Sequence, residues 1–132
     1  MELPRGIRNN NPGNIRLGAS WEGLVDQIDG VADPVFCQFS TPQYGIRAIN
    51  HILNAYQARG IVTVQAIIDT WAPPVENITS AYVADVAQSM GITPDITVGI
   101  GQRGALIAAI IMHENGQQPY DNATIEAAMV LE

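Results

Sequence analysis

The sequence predicts an α+β domain that is mainly helical, with a small β-containing lobe near the N-terminus. Residues 1–40 are rich in Gly, Asn, Pro and Asp and lack helical periodicity, whereas from Ser40 onward apolar residues recur at helical spacing. The chain has 132 residues, 47% of them apolar and 14% charged, which suits one core and argues against disorder. We therefore expect a single domain over residues 1–132, with a loop and β region over 1–40 and a helical region over 41–132.

The N-terminal region is expected to form loops and short strands. Residues 9–14 combine Asn, Pro and Gly, and these residues favour turns because Asn and Gly tolerate left-handed backbone while Pro presets φ. This run is either a simple tight turn or a loop that lets a strand edge approach a sugar chain. The candidate strands are residues 14–17, 24–28 and 35–39.

The helical region carries signals for where its helices begin and end. Ser, Thr, Asp and Asn provide candidate N-caps, and Gly or Pro follows the apolar stretches. The predicted helices run from a cap at Ser40 or Thr41 to Gly60, over residues 63–71 with a stop at Pro73 and Pro74, from a cap at Thr79 to Gly91, over residues 102–115, and from a cap at Asp121 or Asn122 to Met129.

Charge and cysteine content exclude several functional classes. The net charge is −7, which disfavours general nucleic-acid binding. The basic residues near the N-terminus, Arg5, Arg8 and Arg16, are expected mainly to form salt bridges. Cys37 is the only cysteine, so no internal disulfide forms, and we expect it on a buried strand. We find neither a membrane-spanning apolar run nor a signal peptide, so we expect synthesis in the cytoplasm.

Glu114 is the strongest catalytic candidate in the sequence. It ends the most apolar predicted helix, and an acid is disfavoured there by the negative end of the helix dipole. Partial burial favours the protonated form of a carboxyl group, as a general acid requires. His113 points to a different face and is expected to brace the structure. The other histidine, His51, is outside metal-ligand spacing, so we expect no zinc site and no cofactor.

Acidic and aromatic residues supply the remaining site candidates. The acids Glu22, Asp26, Asp29 and Asp33 cluster in the β region, and most are expected to be solvated. Either Asp26 or Asp29 is a candidate partner for Glu114 in a two-carboxylate glycosidase. Among the aromatic residues, Trp21 and Tyr120 are expected to stack on sugars, Tyr44 to line a groove, Tyr82 to hydrogen-bond the catalytic carboxyl group, and Tyr56 and Trp71 to pack in the core.

Several segments, in order along nearly the whole chain, resemble the phage virion-associated, lysozyme-like proteins. The segments are residues 5–16 (RGIRNNNPGNIR), 21–23 (WEG), Phe39, 45–48 (GIRA), 71–77 (WAPPVEN), 82–83 (YV) and 113–116 (HENG). The resemblance implies a compact lysozyme-like fold, peptidoglycan cleavage in the periplasm and association with the virion. For that activity we expect catalytic roles for Glu114, Tyr82, Asp26 and Asp29, and substrate-binding roles for Asn14, Arg16, Trp21, Tyr44, Glu76 and Tyr120.

The order of the parts also resembles that of bacterial glucosaminidases and related lytic transglycosylases. In those enzymes a helix ending in the catalytic Glu precedes an Asn-rich turn similar to residues 10–16, then a hairpin, an aromatic strand and a helix. Here the fitting helix is the one that ends at Glu114, near the other end of the chain. We infer, as a hypothesis, a circularly permuted lysozyme-like domain, and we expect a monomer.

The expected reaction is cleavage of the glycan strand with Glu114 as acid and then base. Water attacks with help from Asp26 or Asp29, or the muramoyl 6-hydroxyl attacks without a second carboxylate. The lack of a clear partner acid favours the second route slightly. Two alternatives remain: an endopeptidase for the peptide cross-links, and a catalytically silent virion protein.

Overall fold

The computed structural model describes residues 2–72 and 76–132, with only the backbone of residues 76 and 77. Within these ranges the chain is mainly helical with one small antiparallel sheet, which confirms the α+β class. The predicted helix stop at Pro73 and Pro74 lies outside the described residues. The elements are α1 (Arg5–Arg8), β1 (Leu24–Val25), β2 (Gln38–Phe39), α2 (Pro42–Ala58), α3 (Val64–Trp71), α4 (Glu76–Met90), a 3₁₀ turn (Ile100–Gln102), α5 (Arg103–Asn115) and α6 (Asn122–Met129).

The β lobe is smaller than the sequence predicts. Strand β1 pairs antiparallel with β2, with Leu24 opposite Phe39. The predicted strand at 14–17 is reduced to isolated bridges, an antiparallel one between Arg16 and Phe36 and a parallel one between Leu17 and Ala19. The backbone explains this difference, because φ is 50° at Asn14 and 147° at Gly18, and both values interrupt an extended strand.

Three predicted helix starts are confirmed by side-chain caps. Thr41 accepts a hydrogen bond from the Tyr44 backbone N at 3.4 Å, and Thr63 accepts one from Ala66 N at 3.1 Å. Asp121 accepts one from the backbone N of Thr124 at 2.8 Å. In each case a side-chain oxygen satisfies a backbone donor that the first turn leaves free.

Two helix predictions are wrong. Helix α1 occupies residues expected to be loop, because a single turn is too short to show hydrophobic periodicity. Helix α4 begins at Glu76, so Thr79, the predicted cap, is a buried residue inside the helix. Tyr82 therefore lies in the body of α4 rather than beside its cap.

Helix α5 is the centre of the helical region. It packs against α1, α2, α4 and α6, and its apolar residues Leu106, Ile107, Ile110 and Ile111 are almost fully buried. A helix that is apolar on most sides requires neighbours on most sides. Glu114 therefore lies at the end of the most enclosed helix. None of the described helices is both long and apolar enough to cross a membrane.

Candidate functional site

Glu114 is the last residue but one of α5, directly before Asn115 and the C-cap Gly116. Gly116 has φ of 70°, in the left-handed region, which ends the helix in the way that a glycine C-cap does. The Glu114 side chain is half-buried, as expected from the sequence. The carboxylate therefore emerges where α5 leaves the core.

Two side chains from distant parts of the chain donate hydrogen bonds to this carboxylate. Asn14 Nδ2 donates to Glu114 Oε1 at 2.9 Å, and the Tyr82 hydroxyl donates to Oε2 at 2.9 Å. Each carboxylate oxygen thus has one protein donor and keeps further acceptor capacity. The two bonds fix the plane of the carboxyl group and offset the unfavourable helix dipole.

A rigid turn holds Asn14 in place. Asn14 adopts left-handed backbone, and its N–H donates to the Asn11 carbonyl at 3.0 Å. The fully buried side chain of Asn11 donates to the carbonyl groups of Ile15 and Cys37 and accepts from the Ile15 N–H. Since every polar atom of this amide side chain is used locally, the turn has one well-defined conformation.

Asn115 attaches the same turn to α5. Its Nδ2 donates to the Pro12 carbonyl at 2.8 Å and to the Ile111 carbonyl at 3.0 Å. The Oδ1 atoms of Asn115 and Asn14 both lie against Gly6 of α1, where an added Cβ would be 2.5 Å and 2.8 Å from them. Only glycine allows α1 to approach so closely. Helix α1, the asparagine turn (residues 9–14) and the end of α5 therefore form one packed unit around Glu114.

Tyr82 is the second support of Glu114 and is 3% exposed. Its pKa is raised well above the usual range, first by burial and then by the nearby charge of Glu114, while a hydrogen bond with Trp71 acts in the opposite direction. The Tyr82 hydroxyl proton is directed at Glu114 Oε2. Tyr82 is therefore a neutral donor throughout the ordinary pH range.

His113 braces Tyr82 from the other side. The two rings stack with centroids 3.7 Å apart and an interplanar angle of 25°. His113 Nδ1 lies 2.8 Å from Asp85 Oδ2, one turn along α4 from Tyr82. This arrangement agrees with the bracing role expected for His113. Helices α4 and α5 are thereby joined next to the carboxylate.

Glu114 opens into a groove of about 560 Å³. One wall comes from the asparagine turn and the residues after it, and the other from α2 and the end of α3. The groove is lined by Gly13, Asn14, Ile15, Arg16, Phe36, Ile52, Tyr56, Trp71, Ala72 and Glu114. The lining thus combines aromatic residues with one acidic and one basic residue, which suits an extended polar ligand with flat, partly apolar faces.

The structure brings only some of the predicted site residues to this groove. Asn14 and Arg16 line it, and Tyr82 supports Glu114 from behind. Asp26 and Asp29 are exposed in the hairpin region and do not line the groove. The described groove lining that contains Glu114 therefore includes neither of the two predicted partner acids.

Three aromatic candidates also lie elsewhere. Trp21, Tyr44 and Tyr120 are half-buried against the hydrophobic core, and the groove lining includes none of them. The side chain of Glu76 lies outside the described residues. By contrast Tyr56 and Trp71, which the sequence assigns to the core, are half-buried and line the groove. Helical spacing identifies the buried side of each helix, but it does not show which residues on that side face the groove instead of the core.

Sequence reasoning also missed Phe36 and Ile52 of the groove and the role of Asp33. The side chain of Asp33 is only 6% exposed and accepts from Arg5 Nε and Nη2 at 2.7 and 2.6 Å. The Arg5 guanidinium beside it, with the N–H groups of Phe36 and Val35, holds the pKa of Asp33 far below its usual range. Asp33 is thus a structural anchor of the β lobe rather than a solvated acid. The only sequence signal was an Asp before Pro34, a common turn pattern.

The residues that the structure describes give little support for a metal site or a reactive thiol. No group of three or more His, Cys, Asp or Glu side chains there is arranged to hold a metal ion. Cys37 is fully buried, and burial raises the pKa of its thiol. Its sulfur contacts the Arg16 carbonyl at 3.4 Å, consistent with a packing role.

Comparison with known proteins adds one relative and no family model, since none matches this sequence. The chain is 42% identical over 124 residues to protein P5 of Pseudoalteromonas phage PM2. The match covers 90% of this chain and 76% of that protein. The chain therefore belongs to the family of protein P5 of Pseudoalteromonas phage PM2.

Proposed function

We propose that this protein cleaves the glycan strand of peptidoglycan, with Glu114 as general acid and then general base. The observation that carries the proposal is the carboxylate of Glu114, half-buried at a helix end and fixed by Asn14 and Tyr82, facing a groove with aromatic walls. A positioned carboxyl group beside stacking surfaces is what glycosidic bond cleavage requires. No cofactor takes part.

The proposed fold is lysozyme-like with a circularly permuted chain order. The helix that ends in Glu114 comes late in the sequence, and the asparagine turn that contacts Glu114 comes early. The Asn14–Glu114 and Asn115–Pro12 hydrogen bonds join these two distant segments directly. This contact supports permutation, because in the unpermuted order the catalytic helix would run straight into the turn.

The first step of the proposed reaction is protonation of the glycosidic oxygen by Glu114, with breakage of the bond to C1. The muramoyl 6-hydroxyl then attacks C1, and the Glu114 carboxylate accepts the hydroxyl proton. The 1,6-anhydro bond forms and Glu114 regains the proton it gave. Glu114 is the only carboxylate among the described residues that line the groove, which favours this route over water attack assisted by a second acid.

The phage origin of the relative supports a role in a phage, and we propose that the protein acts on the cell wall as a virion-associated, monomeric enzyme. The site of action would then be the periplasm, reached through the phage particle. The alternatives of a cross-link endopeptidase and of a silent virion protein predict different products from peptidoglycan.

The test is digestion of purified peptidoglycan by the wild type and by Glu114→Gln, with mass spectrometry of the soluble products. Glu22→Gln is the matched control, since it removes the same charge from an exposed acid that does not line the groove. We expect anhydro-muramoyl ends from the wild type and the control, and a loss of about 10²–10⁴-fold in rate for Glu114→Gln.

The other products each contradict part of the proposal. Reducing ends would establish a hydrolase that uses Glu114 with water. Free cross-link peptides would establish an endopeptidase. Unchanged release of sugars by Glu114→Gln would refute the assignment of the acid, and no product from any of the proteins would establish the silent virion protein.

A further inference from the structure

Arg16 stands out among the arginines because it lines the groove and has no acidic partner among the described residues. The Arg5 guanidinium is bound to Asp33, and that of Arg8 lies 3.2 Å from Glu2. Within the described ranges, 2–72 and 76–132, no carboxylate forms an ion pair with Arg16. An exposed, unneutralised cation in the same groove as Glu114 is notable in a chain with net charge −7.

The backbone places Arg16 across from Phe36. Leu17 N donates to the Val35 carbonyl and Cys37 N to the Ile15 carbonyl, so Arg16 and Phe36 form the non-hydrogen-bonded pair of an antiparallel bridge. In such pairs the side chains come closest. Here the guanidinium carbon of Arg16 lies 5.3 Å from the centre of the Phe36 ring, within cation–π range.

Phe36 is in turn held by Arg5, whose guanidinium carbon lies 4.7 Å from the same ring centre. Because Asp33 neutralises Arg5, the stack presents a single uncompensated charge, that of Arg16, to the groove. The aromatic contact restricts the flexible Arg16 side chain and leaves its N–H groups available. A positioned guanidinium with free donors is a typical receptor for a carboxylate.

We propose that Arg16 binds a carboxylate carried by the glycan strand and so makes the groove selective for acidic over neutral N-acetylated sugar polymers. The proposal rests on the proposed function. The carboxylate belongs either to the lactyl ether of a peptide-free muramoyl residue or to the stem peptide.

The test measures binding to the Glu114→Gln variant, in which turnover does not interfere. The probes are a peptide-free tetrasaccharide of alternating N-acetylglucosamine and N-acetylmuramic acid, the same tetrasaccharide with stem peptides, and the neutral tetrasaccharide of N-acetylglucosamine. Each is titrated calorimetrically into Glu114→Gln alone and combined with Arg16→Gln or with Arg8→Gln. Arg8→Gln is the matched control, because it removes the same charge outside the groove.

We expect Arg16→Gln to weaken binding of a muramoyl ligand about tenfold and to change binding of the neutral tetrasaccharide less than about twofold. Arg8→Gln should leave the affinities of all three ligands unchanged. A tenfold loss with the peptide-free ligand identifies the lactyl carboxylate. A loss only with the peptide-bearing ligand identifies the stem.

Three results would overturn the proposal, and they separate it from the function on which it rests. Equal losses for acidic and neutral ligands would show that Arg16 binds the sugar ring. No loss with any ligand, while binding itself persists, would leave a glycan groove in which Arg16 has no role. Absence of binding by all three sugars to Glu114→Gln would refute both the glycan site and the role of Arg16.

Discussion

Gly6 offers the sharpest test of how α1 holds the asparagine turn against Glu114. A Cβ at this position would lie 2.5 Å from Asn115 Oδ1, 2.8 Å from Asn14 Oδ1 and 2.9 Å from the Asn11 carbonyl oxygen. All three distances are shorter than real Cβ contacts, so Gly6→Ala must move at least one of these groups. Asn115 and Asn14 are themselves hydrogen-bonded to Pro12 and Glu114 through their Nδ2 atoms.

Two opposing effects set the size of the change. Gly6 lies inside a helical turn with ordinary φ, so alanine there would by itself stabilise the protein by about 0.5–1 kcal/mol. Overpacking at a closely packed site costs about 1–3 kcal/mol. The clash should dominate, and we expect a net loss of about 1–2 kcal/mol in the free energy of unfolding. For a chain of 132 residues this corresponds to a melting temperature about 4–7 °C lower.

The assay is thermal unfolding of the wild type, Gly6→Ala and Gly101→Ala. Gly101 is the matched control, because it lies in the 3₁₀ turn and an added Cβ would meet nothing within 4 Å. Gly101→Ala should melt at or slightly above the temperature of the wild type. A Gly6→Ala variant that melts as high as Gly101→Ala would refute the reasoning, since it would show that the turn yields without cost.

Three further predictions concern the surroundings of the site. Asp33→Asn should lower the free energy of unfolding at neutral pH, because the depressed pKa of Asp33 contributes stability above the unfolded pKa of about 4. That stability is lost as pH falls below the unfolded pKa. In urea unfolding across pH 2–7, the free energy of unfolding of the variant should therefore change less with pH. Arg103→Met should lower the free energy of unfolding in urea by about 1–3 kcal/mol. The reason is that buried Arg103 donates to the side-chain oxygens of Asn50, Asn54 and Gln57, and at least Asn50 stays buried. An unchanged midpoint of unfolding would contradict this prediction. Tyr82→Phe keeps the ring but removes one donor to Glu114, so kcat on peptidoglycan should fall with KM nearly constant, whereas a change in KM alone would argue against orientation of the acid.

Much of the fold follows from local signals in the sequence. Side chains of Thr41, Thr63 and Asp121 satisfy the first backbone N–H groups of three helices, so their starts were readable from residue type. The start of α4 was not, because Thr79 has the chemistry of a cap but lies inside the helix. A capping residue indicates where a helix can begin. Whether the helix begins a turn earlier depends on how that earlier turn packs.

The local sequence identified the candidate site mainly through one residue whose position in its helix is unfavourable. Glu114 was identifiable because an acid at the end of an apolar helix is locally unfavourable. Apart from its position before Pro34, nothing local distinguishes Asp33, which is buried in an ion pair, from Asp26 and Asp29, which are exposed. That difference comes from Arg5, a residue distant in sequence, and pairings of this kind are set by the tertiary fold.

A negative charge at the end of α5 lowers the stability of the fold, and the hydrogen-bond donors around Glu114 offset this loss. The helix dipole opposes a negative charge there, and no described cation forms an ion pair with Glu114. Compensation comes instead from two neutral donors, Asn14 and Tyr82. These neutral donors orient the carboxyl group without placing a charge beside it. A cation in place of Asn14 would stabilise the fold and hinder the proposed acid step, which is a physical reason to find an amide there.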